Sequence, residues 1–445
     1  MKLENIYAWP WCVAVLLVFT VGWGIPIVAH DNEKKEFEVW LVDQSNTNGL
    51  TYGGTIYIYD GDDLIRRRSN TAPTDLINLG GETSALCLAS TGANPVRPHM
   101  LVFNATNTHM ALSFVASGHV VFFDAPTRQP LACFRTEAGT AGARQAHAVW
   151  PTGNDRYLLV ANQNGKKLER IRTDYRNNVF TQEPLATLDL ANCTTPSGQP
   201  CQNAVLRPDN APICPFIASD NGPAFVSLRG GGLFVVDWRT APMSIVAEYD
   251  QAHVPANGCG FTEAKGWVYG NGGGATASNL DQFSVYRLPM TGYDASHPPN
   301  VPAVERLFDD NSPERDAHGV GVSQNQRYVW VGDRDANLAE VFHGRTGIHV
   351  GTVDLTSRFS ADPTPDLFAS SPDHQWFFAS TRGPTPLTGD PHSSQGTDPG
   401  LLIVRLNQPG RTGEVRGLVR ISNVDSGGVE RADPHGINVR LKHDE

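Results

Sequence analysis

Histidines and one aspartate recur at corresponding places in a repeated sequence pattern, and both residue types can bind a metal ion. In the stretch Ala317 to Asp333 (AHGVGVSQNQRYVWVGD), His318 is followed ten residues later by Tyr328. The same ten-residue spacing separates His147 from Tyr157, His99 from His109 and Asp366 from Trp376. A repeated fold brings equivalent positions together. Imidazoles with a carboxylate at one place suit zinc or copper.

Each repeat reads as a strand, a polar turn and a second strand. His318, Val320 and Val322 alternate with other residues, as expected for side chains on one face of a strand. Residues 323 to 326 are predicted to form the turn, and residues 328 to 331 are β-branched or aromatic, as in a buried second strand. The whole chain contains 43 Gly and 31 Pro but only 5 Met, and no long amphipathic helical pattern interrupts the short strands. This composition predicts an all-β, loop-rich protein.

The repeats predict a seven-bladed β-propeller. Six units begin near residues 99, 147, 214, 259, 318 and 366, and a further one begins with the strand Phe37 to Asp43 but lacks an innermost strand. The stretch Asp433 to Leu441 (DPHGINVRL) matches the innermost-strand pattern and is left over at the end. If it joins the first blade, the ring closes and protects its strand edges. We therefore predict one propeller domain over residues 30–445.

The repeat units resemble the YVTN-type propeller family, which is similar to the propellers of quinoprotein amine dehydrogenases. YLLVAN at 157–162 and YVWVGD at 328–333 look like the second strand of that family, and the segments PHGINV and AHGVGVS look like its first. The resemblance extends from about Phe37 to Leu441 and implies the fold. It implies no single function, because amine dehydrogenases, lactonases and surface proteins share such propellers.

Alignment of the seven innermost strands places one residue of each blade at the same height beside the central axis. In ring order from blade one these are His435, His99, His147, Cys214, Cys259, His318 and Asp366. Only 14 of the 445 residues are His, yet four of them occupy these positions. We predict that His99, His147, His318, Asp366 and His435 bind a copper or zinc ion. Cys214, Cys259 and His392, in the long loop Arg382 to Pro399, are further candidates.

Two alternatives to this metal site follow from the same residues. The four histidines can be inherited from one ancestral repeat, with each imidazole bonding a backbone carbonyl group. Cys214 and Cys259 lie on neighbouring blades and are expected to form a disulfide rather than to bind metal as thiolates.

The amino-terminal segment predicts export from the cytoplasm. Residues 6–29 are almost uncharged, and the small residue Ala29 precedes a charged stretch, as in a signal peptide comprising residues 1–29. The alternative is an uncleaved membrane anchor, because the segment is long enough to span a bilayer. Six cysteines follow Cys12, and an even number in an exported chain favours disulfides, most clearly Cys193 with Cys201. We expect a periplasmic or secreted protein.

The net charge and the motifs that are absent reduce the number of possible functions. The net charge of −11 argues against nucleic-acid binding, which requires a basic surface. Walker, GxSxG and HExxH motifs are absent from the sequence. Three hypotheses remain: a metal-binding propeller for carriage, sensing or redox chemistry; an enzyme that uses the axial funnel for oxidation or lactone hydrolysis; and a scaffold whose loop face docks a partner protein.

Overall fold

The computed structural model describes residues 36–273, 282–293, 301–387 and 395–442. In these residues the strands form seven antiparallel sheets, six with four strands and one with five. The prediction of an all-β, seven-bladed propeller is confirmed. The predicted signal peptide or anchor (residues 1–29) and the candidate ligand His392 lie outside the described residues.

The first three blades contain most of the amino-terminal half of the chain. Their strands in chain order are β1 (Phe37–Asp43), β2 (Thr55–Asp60), β3 (Asp75–Asn78), β4 (Pro98–Phe103), β5 (His109–Phe114), β6 (His119–Asp124), β7 (Pro130–Arg135), β8 (Ala146–Pro151), β9 (Tyr157–Asn162), β10 (Lys167–Asp174), β11 (Val179–Gln182) and β12 (Leu188–Asp189).

The other four blades and the closing strand follow. Their strands are β13 (Pro212–Ile217), β14 (Ala224–Leu228), β15 (Leu233–Asp237), β16 (Ser244–Tyr249), β17 (Phe261–Ala264), β18 (Trp267–Gly273), β19 (Phe283–Pro289), β20 (Glu305–Asp310), β21 (Ala317–Val322), β22 (Tyr328–Asp333), β23 (Leu338–His343), β24 (His349–Asp354), β25 (Pro365–Ser370), β26 (Trp376–Thr381), β27 (Gly400–Asn407), β28 (Thr412–Arg420) and β29 (Pro434–Leu441).

The ring closes in the predicted way, with the last described strand as the innermost strand of blade one. That sheet has the order β29-β1-β2-β3, and Val39 of β1 pairs with Val439 of β29. Strand β29 also contacts β25 of blade seven and β4 of blade two. Ile437 packs with Val39 and Leu41 in an apolar cluster that includes residues of blade seven. One strand therefore joins the two ends of the chain and links the blades on either side.

The inner strands are buried on both faces because each blade packs between two others. All six residues of β5 are buried, and so are all six of β22. This explains why the sequence shows continuous apolar runs where a sheet with one solvated face would show alternation. Aromatic contacts fill the spaces between sheets, as where Trp40 of blade one meets Phe103 of blade two edge to face with ring centroids 5.3 Å apart.

Two short helices in the described residues, which the sequence analysis did not predict, follow strands of blade one: the first lies between β2 and β3 in the chain, and the second lies between β3 and β4 of blade two. Helix α1 (Gly61–Arg67) is capped by Asp60, whose side chain accepts a hydrogen bond from the backbone of Asp63. Helix α2 (Ser84–Thr91) ends at Gly92, which adopts the left-handed conformation. Within the described part of the chain, no helix has the length and apolar character needed to cross a lipid bilayer.

Three disulfides link cysteines within the described residues. The predicted pairs Cys193–Cys201 and Cys214–Cys259 are both present. A third, Cys87–Cys133, ties helix α2 to strand β7. Disulfides persist in oxidising compartments, so these three indicate an environment outside the cytoplasm.

A chain that ends at Asp433 tests the role of the closing strand. Without β29, the edge of β1 and the apolar groups that Ile437 covers become exposed. We expect a loss of about 3 kcal/mol or more of unfolding free energy, from the uncovered apolar side chains alone. Thermal unfolding followed by circular dichroism measures this loss, with a chain ending at Lys442 as the control. Equal melting temperatures for the two truncated chains would contradict the role of β29.

Candidate metal site

Four imidazoles from distant parts of the chain meet at the axis of the ring. The rings of His99 and His435 are stacked, with centroids 3.8 Å apart and planes 13° from parallel. His147 meets His99 edge to face at 4.6 Å, and His318 lies 5.4 Å from His435. Donor atoms of His318, Asp366 and His435 all lie within 4.8 Å of one another. The structure therefore brings together all five residues that the sequence analysis selected on the innermost strands.

A β-bulge occurs at these positions in six blades. The register shifts lie at the axial residue of β4, β8, β13, β21 and β25, and in the pairing of β29 with β1. In β4, for example, the shift lies between Pro98 and Leu101 and includes His99. A bulge bends the strand and redirects a side chain that regular pairing would orient differently. The repeated bulge is thus part of what places the imidazoles beside the axis.

The backbone at the axial histidines is also fixed by the preceding blade. Ser113 of β5 donates its hydroxyl hydrogen bond to the carbonyl oxygen of His147 at 3.1 Å. Ser380 of β26 donates in the same way to the carbonyl oxygen of His435 at 2.7 Å. The Asn271 side-chain amide donates to the carbonyl oxygen of His318. A buried polar group on the second strand of one blade therefore positions the innermost strand of the next.

The Nδ1 atom of every axial imidazole faces an oxygen acceptor. The pairs are His99 with Gln44 Oε1 at 2.9 Å, His147 with the Ile213 carbonyl oxygen at 3.2 Å, His318 with Asp366 Oδ1 at 2.8 Å, and His435 with Asp366 Oδ2. An oxygen acceptor holds the ring proton on Nδ1, so the lone pair of each neutral ring lies on Nε2. Four imidazoles thus share the tautomer in which Nε2 can bind a metal ion.

Two of these Nε2 atoms are buried without a hydrogen bond. His99 is 8% exposed and His435 is 2% exposed, and their Nε2 atoms make no hydrogen bond among the described residues. A buried polar atom that makes no hydrogen bond costs about 1–3 kcal/mol. Such atoms are uncommon in folded proteins, where an ordered water or a bound ion usually satisfies them.

Asp366 is surrounded by four donors. Its carboxylate accepts hydrogen bonds from the Nδ1 groups of His318 and His435, from Arg382 at 3.2 Å and from Arg334 at 3.4 Å. Burial alone would raise the pKa of this carboxyl group, but His435, His318 and Arg382 hold its pKa well below the usual range. A carboxylate has about four lone-pair sites, and here each faces a donor.

Asp366 is the centre of a buried ion network across blades six, seven and one. Arg334 pairs with Asp316 at 2.6 Å, and Arg382 binds Asp433 through two hydrogen bonds of 2.6 and 2.9 Å. All five residues of this network are at most 5% exposed. Three carboxylates against two guanidinium groups leave one negative charge in excess beside the imidazoles. This excess favours a cation at the axis.

Burial favours the neutral form of His318 and His99. Burial, with a contribution from the Arg334 charge, lowers the pKa of His318 to about 4. Burial and the neighbouring His435 and His147 rings lower the pKa of His99 well below its usual value. Neutral imidazole is the form that binds metal ions, so these rings are ready to bind at neutral pH.

The sequence analysis missed Gln44, Arg334 and Arg382, which orient the axial side chains. Each is the first residue after the second strand of its blade, following β1, β22 and β26 respectively. A buried polar residue recurring there was a usable signal. Because Cys214 and Cys259 are bonded to each other, neither is a thiolate ligand in this structure.

The histidine pKa values predict how the stability of the metal-free protein depends on pH. Between pH 6.5 and about 4 the unfolded chain binds a proton at His318 that the folded chain does not. Unfolding free energy should therefore fall as pH falls through this window, by up to about 3 kcal/mol from this residue. Urea unfolding at pH 7 and 4.5 measures the fall, and His318→Gln should reduce it. An unchanged pH dependence in that variant would contradict the prediction.

Comparison with known proteins finds the fold again but no family. The chain matches no protein-family model and no curated protein, so membership of the YVTN-type family remains a prediction. Among solved structures it is similar to a hypothetical selenium-binding protein from Sulfolobus tokodaii, with a TM-score of 0.61 and 9% identity over 92% of this chain and 94% of that one. It is also similar to a protein from Lactobacillus plantarum, with a TM-score of 0.58 and 12% identity over 91% of this chain and 99% of that one. A 6-phosphogluconolactonase candidate from Bacteroides fragilis has a TM-score of 0.56 and 12% identity over 92% of this chain and 99% of that one. At these identities the likeness establishes a propeller fold alone.

Proposed function

We propose that this protein is an extracytoplasmic metal-binding propeller that holds one copper or zinc ion at its axis. The ligands are the Nε2 atoms of His99 and His435, together with those of His147 and His318. The observation that carries the proposal is the pair of buried Nε2 atoms of His99 and His435 that make no hydrogen bond. A metal ion would satisfy both.

The donor set suits these metals. Neutral imidazole nitrogen is a common ligand of zinc and copper, whereas magnesium and calcium prefer oxygen. The excess negative charge of the Asp366 network would offset the charge of a cation at short range. The rings of His99 and His435 are nearly parallel, so one of them must rotate before both lone pairs point at the same ion. Binding of an ion by all four imidazoles would therefore require the rings to reorient.

We assign Asp366 the role of a positioning residue and not of a ligand. Its oxygens already accept hydrogen bonds from two imidazoles and two arginines. Carboxylates that accept the Nδ1 proton of a metal-binding histidine fix the ring and raise its basicity. By the same argument Gln44 orients His99 and the carbonyl oxygen of Ile213 orients His147.

The four imidazoles are compatible with either a carrier or a catalyst. A carrier should exchange its ion readily, whereas a catalytic site should retain it and keep one coordination position open. Exchange of bound metal against an isotope of the same element would separate the two roles.

Metal content tests the proposal. Protein purified from cells grown with ample copper and zinc should contain one of these metals at about one ion per chain, measured by elemental analysis. The double variant His99→Gln, His435→Gln should lose that metal while keeping the melting temperature of the metal-free wild type within a few degrees. The matched control changes His109 and His349, which bond Asn178 and Glu340 away from the axis, and should keep the metal.

Two results would overturn the proposal. One is wild-type protein without stoichiometric metal that also fails to bind copper or zinc added after purification. The other is a double variant with unchanged metal content, which would place the metal elsewhere. With no metal bound, the scaffold hypothesis would then account best for the ring.

Substitution of Asp366 by asparagine tests its positioning role. Removal of one partner of a buried ion pair costs about 3–5 kcal/mol, because Arg334 and Arg382 stay buried with less compensation. Loss of a carboxylate that orients metal ligands weakens metal affinity by about 10–100-fold. Chemical denaturation and competitive metal titration measure the two effects.

Asp373→Asn is the matched control for this variant, since Asp373 lies in the exposed turn of the same blade. It should change neither the stability nor the affinity appreciably. Normal metal affinity in Asp366→Asn would refute a positioning role for the carboxylate.

A further inference from the structure

We propose that reduction of the Cys214–Cys259 disulfide creates a second metal site, in which the two thiolates and His147 bind a soft cation such as Cu(I), Zn(II) or Cd(II). The site lies on the axial side of blades four and five. His147 would be a ligand of both proposed sites, so the two would compete for its imidazole; the two thiolates make this site distinct from the axial one, and it does not depend on an ion bound between His99 and His435.

The three donors already lie together. One ligand atom each from His147, Cys214 and Cys259 falls within 4.8 Å of the others. The cysteines are 3% and 9% exposed, so the sulfur atoms are shielded from bulk solvent. Two thiolates and one imidazole form a donor set that zinc uses in proteins, and thiolates favour Cu(I).

The backbone holds these donors in place independently of the disulfide. His147 Nδ1 bonds the carbonyl oxygen of Ile213, the residue before Cys214, at 3.2 Å. Cys214 itself lies within the innermost strand β13. The imidazole and the first sulfur are therefore tied to each other through a hydrogen bond that reduction leaves intact.

Cys259 is fixed by the glycine on each side of it. A Cβ atom at Gly258 would overlap the backbone of Asn271, and one at Gly260 would overlap the carbonyl oxygen of His318. The Gly260 amide also donates to the Asn271 side chain at 3.0 Å. This close packing against blades five and six leaves the Cys259 backbone little room to move once the disulfide is broken.

The chemistry requires a dithiol reductant of the environment. One of its thiolates attacks a sulfur of the Cys214–Cys259 bond and forms a mixed disulfide, and its second thiol resolves that intermediate. The protein disulfide gains two electrons and two protons and becomes two thiols, while the dithiol becomes a disulfide. Metal binding then displaces one proton from each cysteine thiol. The disulfide form of that dithiol can reverse the exchange: it accepts the two electrons and two protons, the Cys214–Cys259 bond forms again, and the cation is released.

Cadmium titration of the reduced protein tests the proposal, because thiolate ligation to Cd(II) produces an ultraviolet charge-transfer band that imidazole ligation lacks. The parent protein is the variant Cys193→Ser, Cys201→Ser, which removes the Cys193–Cys201 disulfide. After treatment with a phosphine reductant and its removal, this parent should bind one Cd(II) per chain with that band. The oxidised parent should show no band.

Three further variants in the same parent locate the site. Cys214→Ser, Cys259→Ser should abolish the band, which excludes the Cys87–Cys133 pair as its source. His147→Gln should weaken cadmium affinity by about tenfold or more, as expected for loss of a ligand. His99→Gln, His435→Gln should keep the band, so failure of the histidine site and failure of this site give different results.

Any of three results would overturn the inference. The first is a reduced parent that exposes two titratable thiols at these positions and shows no charge-transfer band. The second is a Cys214→Ser, Cys259→Ser variant that binds cadmium as its parent does. The third is a disulfide that resists reduction until circular dichroism shows that the chain has unfolded, because no folded dithiol then exists to bind metal.

Discussion

The axial arrangement depends on the hydrogen bonds and ion pairs of the Asp366 carboxylate. It lies on blade seven and accepts from His318 of blade six and His435 of blade one, while Arg334 and Arg382 compensate its charge. A buried charge is tolerated only when its partners are complete. One fully buried anion therefore fixes the tautomers of two imidazoles, aligns three neighbouring blades and makes the axis favourable for a cation.

Packing of the blades supplies the rigidity that this anion requires. Strands such as β5 and β22 are buried along their whole length, so the sheets cannot slide without breaking apolar contacts on both faces. Six bulges at equivalent positions then direct side chains inward. The general fold and the specific site have different causes: side-chain burial determines the first, and local departures from regular pairing determine the second.

Sequence reasoning found the blades and the axial histidines because both repeat with a fixed spacing. It also found the strand that closes the ring, since DPHGINVRL kept the innermost pattern. It missed helices α1 and α2, which occur once and so leave no repeat. It missed Gln44 and the role of Asp366 in orienting two rings. The position of the proton on an imidazole depends on contacts between blades that are distant in sequence, and the repeat pattern does not reveal these contacts. The sequence analysis placed Cys259 on the innermost strand of blade five, but that strand, β17, begins two residues later at Phe261. The spacing of the repeats did not reveal this difference.

The position of His435 in strand β29 has a consequence for biosynthesis. During translation His99, His147 and His318 are made well before the strand that completes blade one, so a nascent chain lacks one of the two stacked rings and the second imidazole on Asp366. Completion of the axial cluster and closure of the ring are therefore a single late event. If the proposed ion binds there, a partly synthesised or misassembled polypeptide would lack the full set of ligands to retain it.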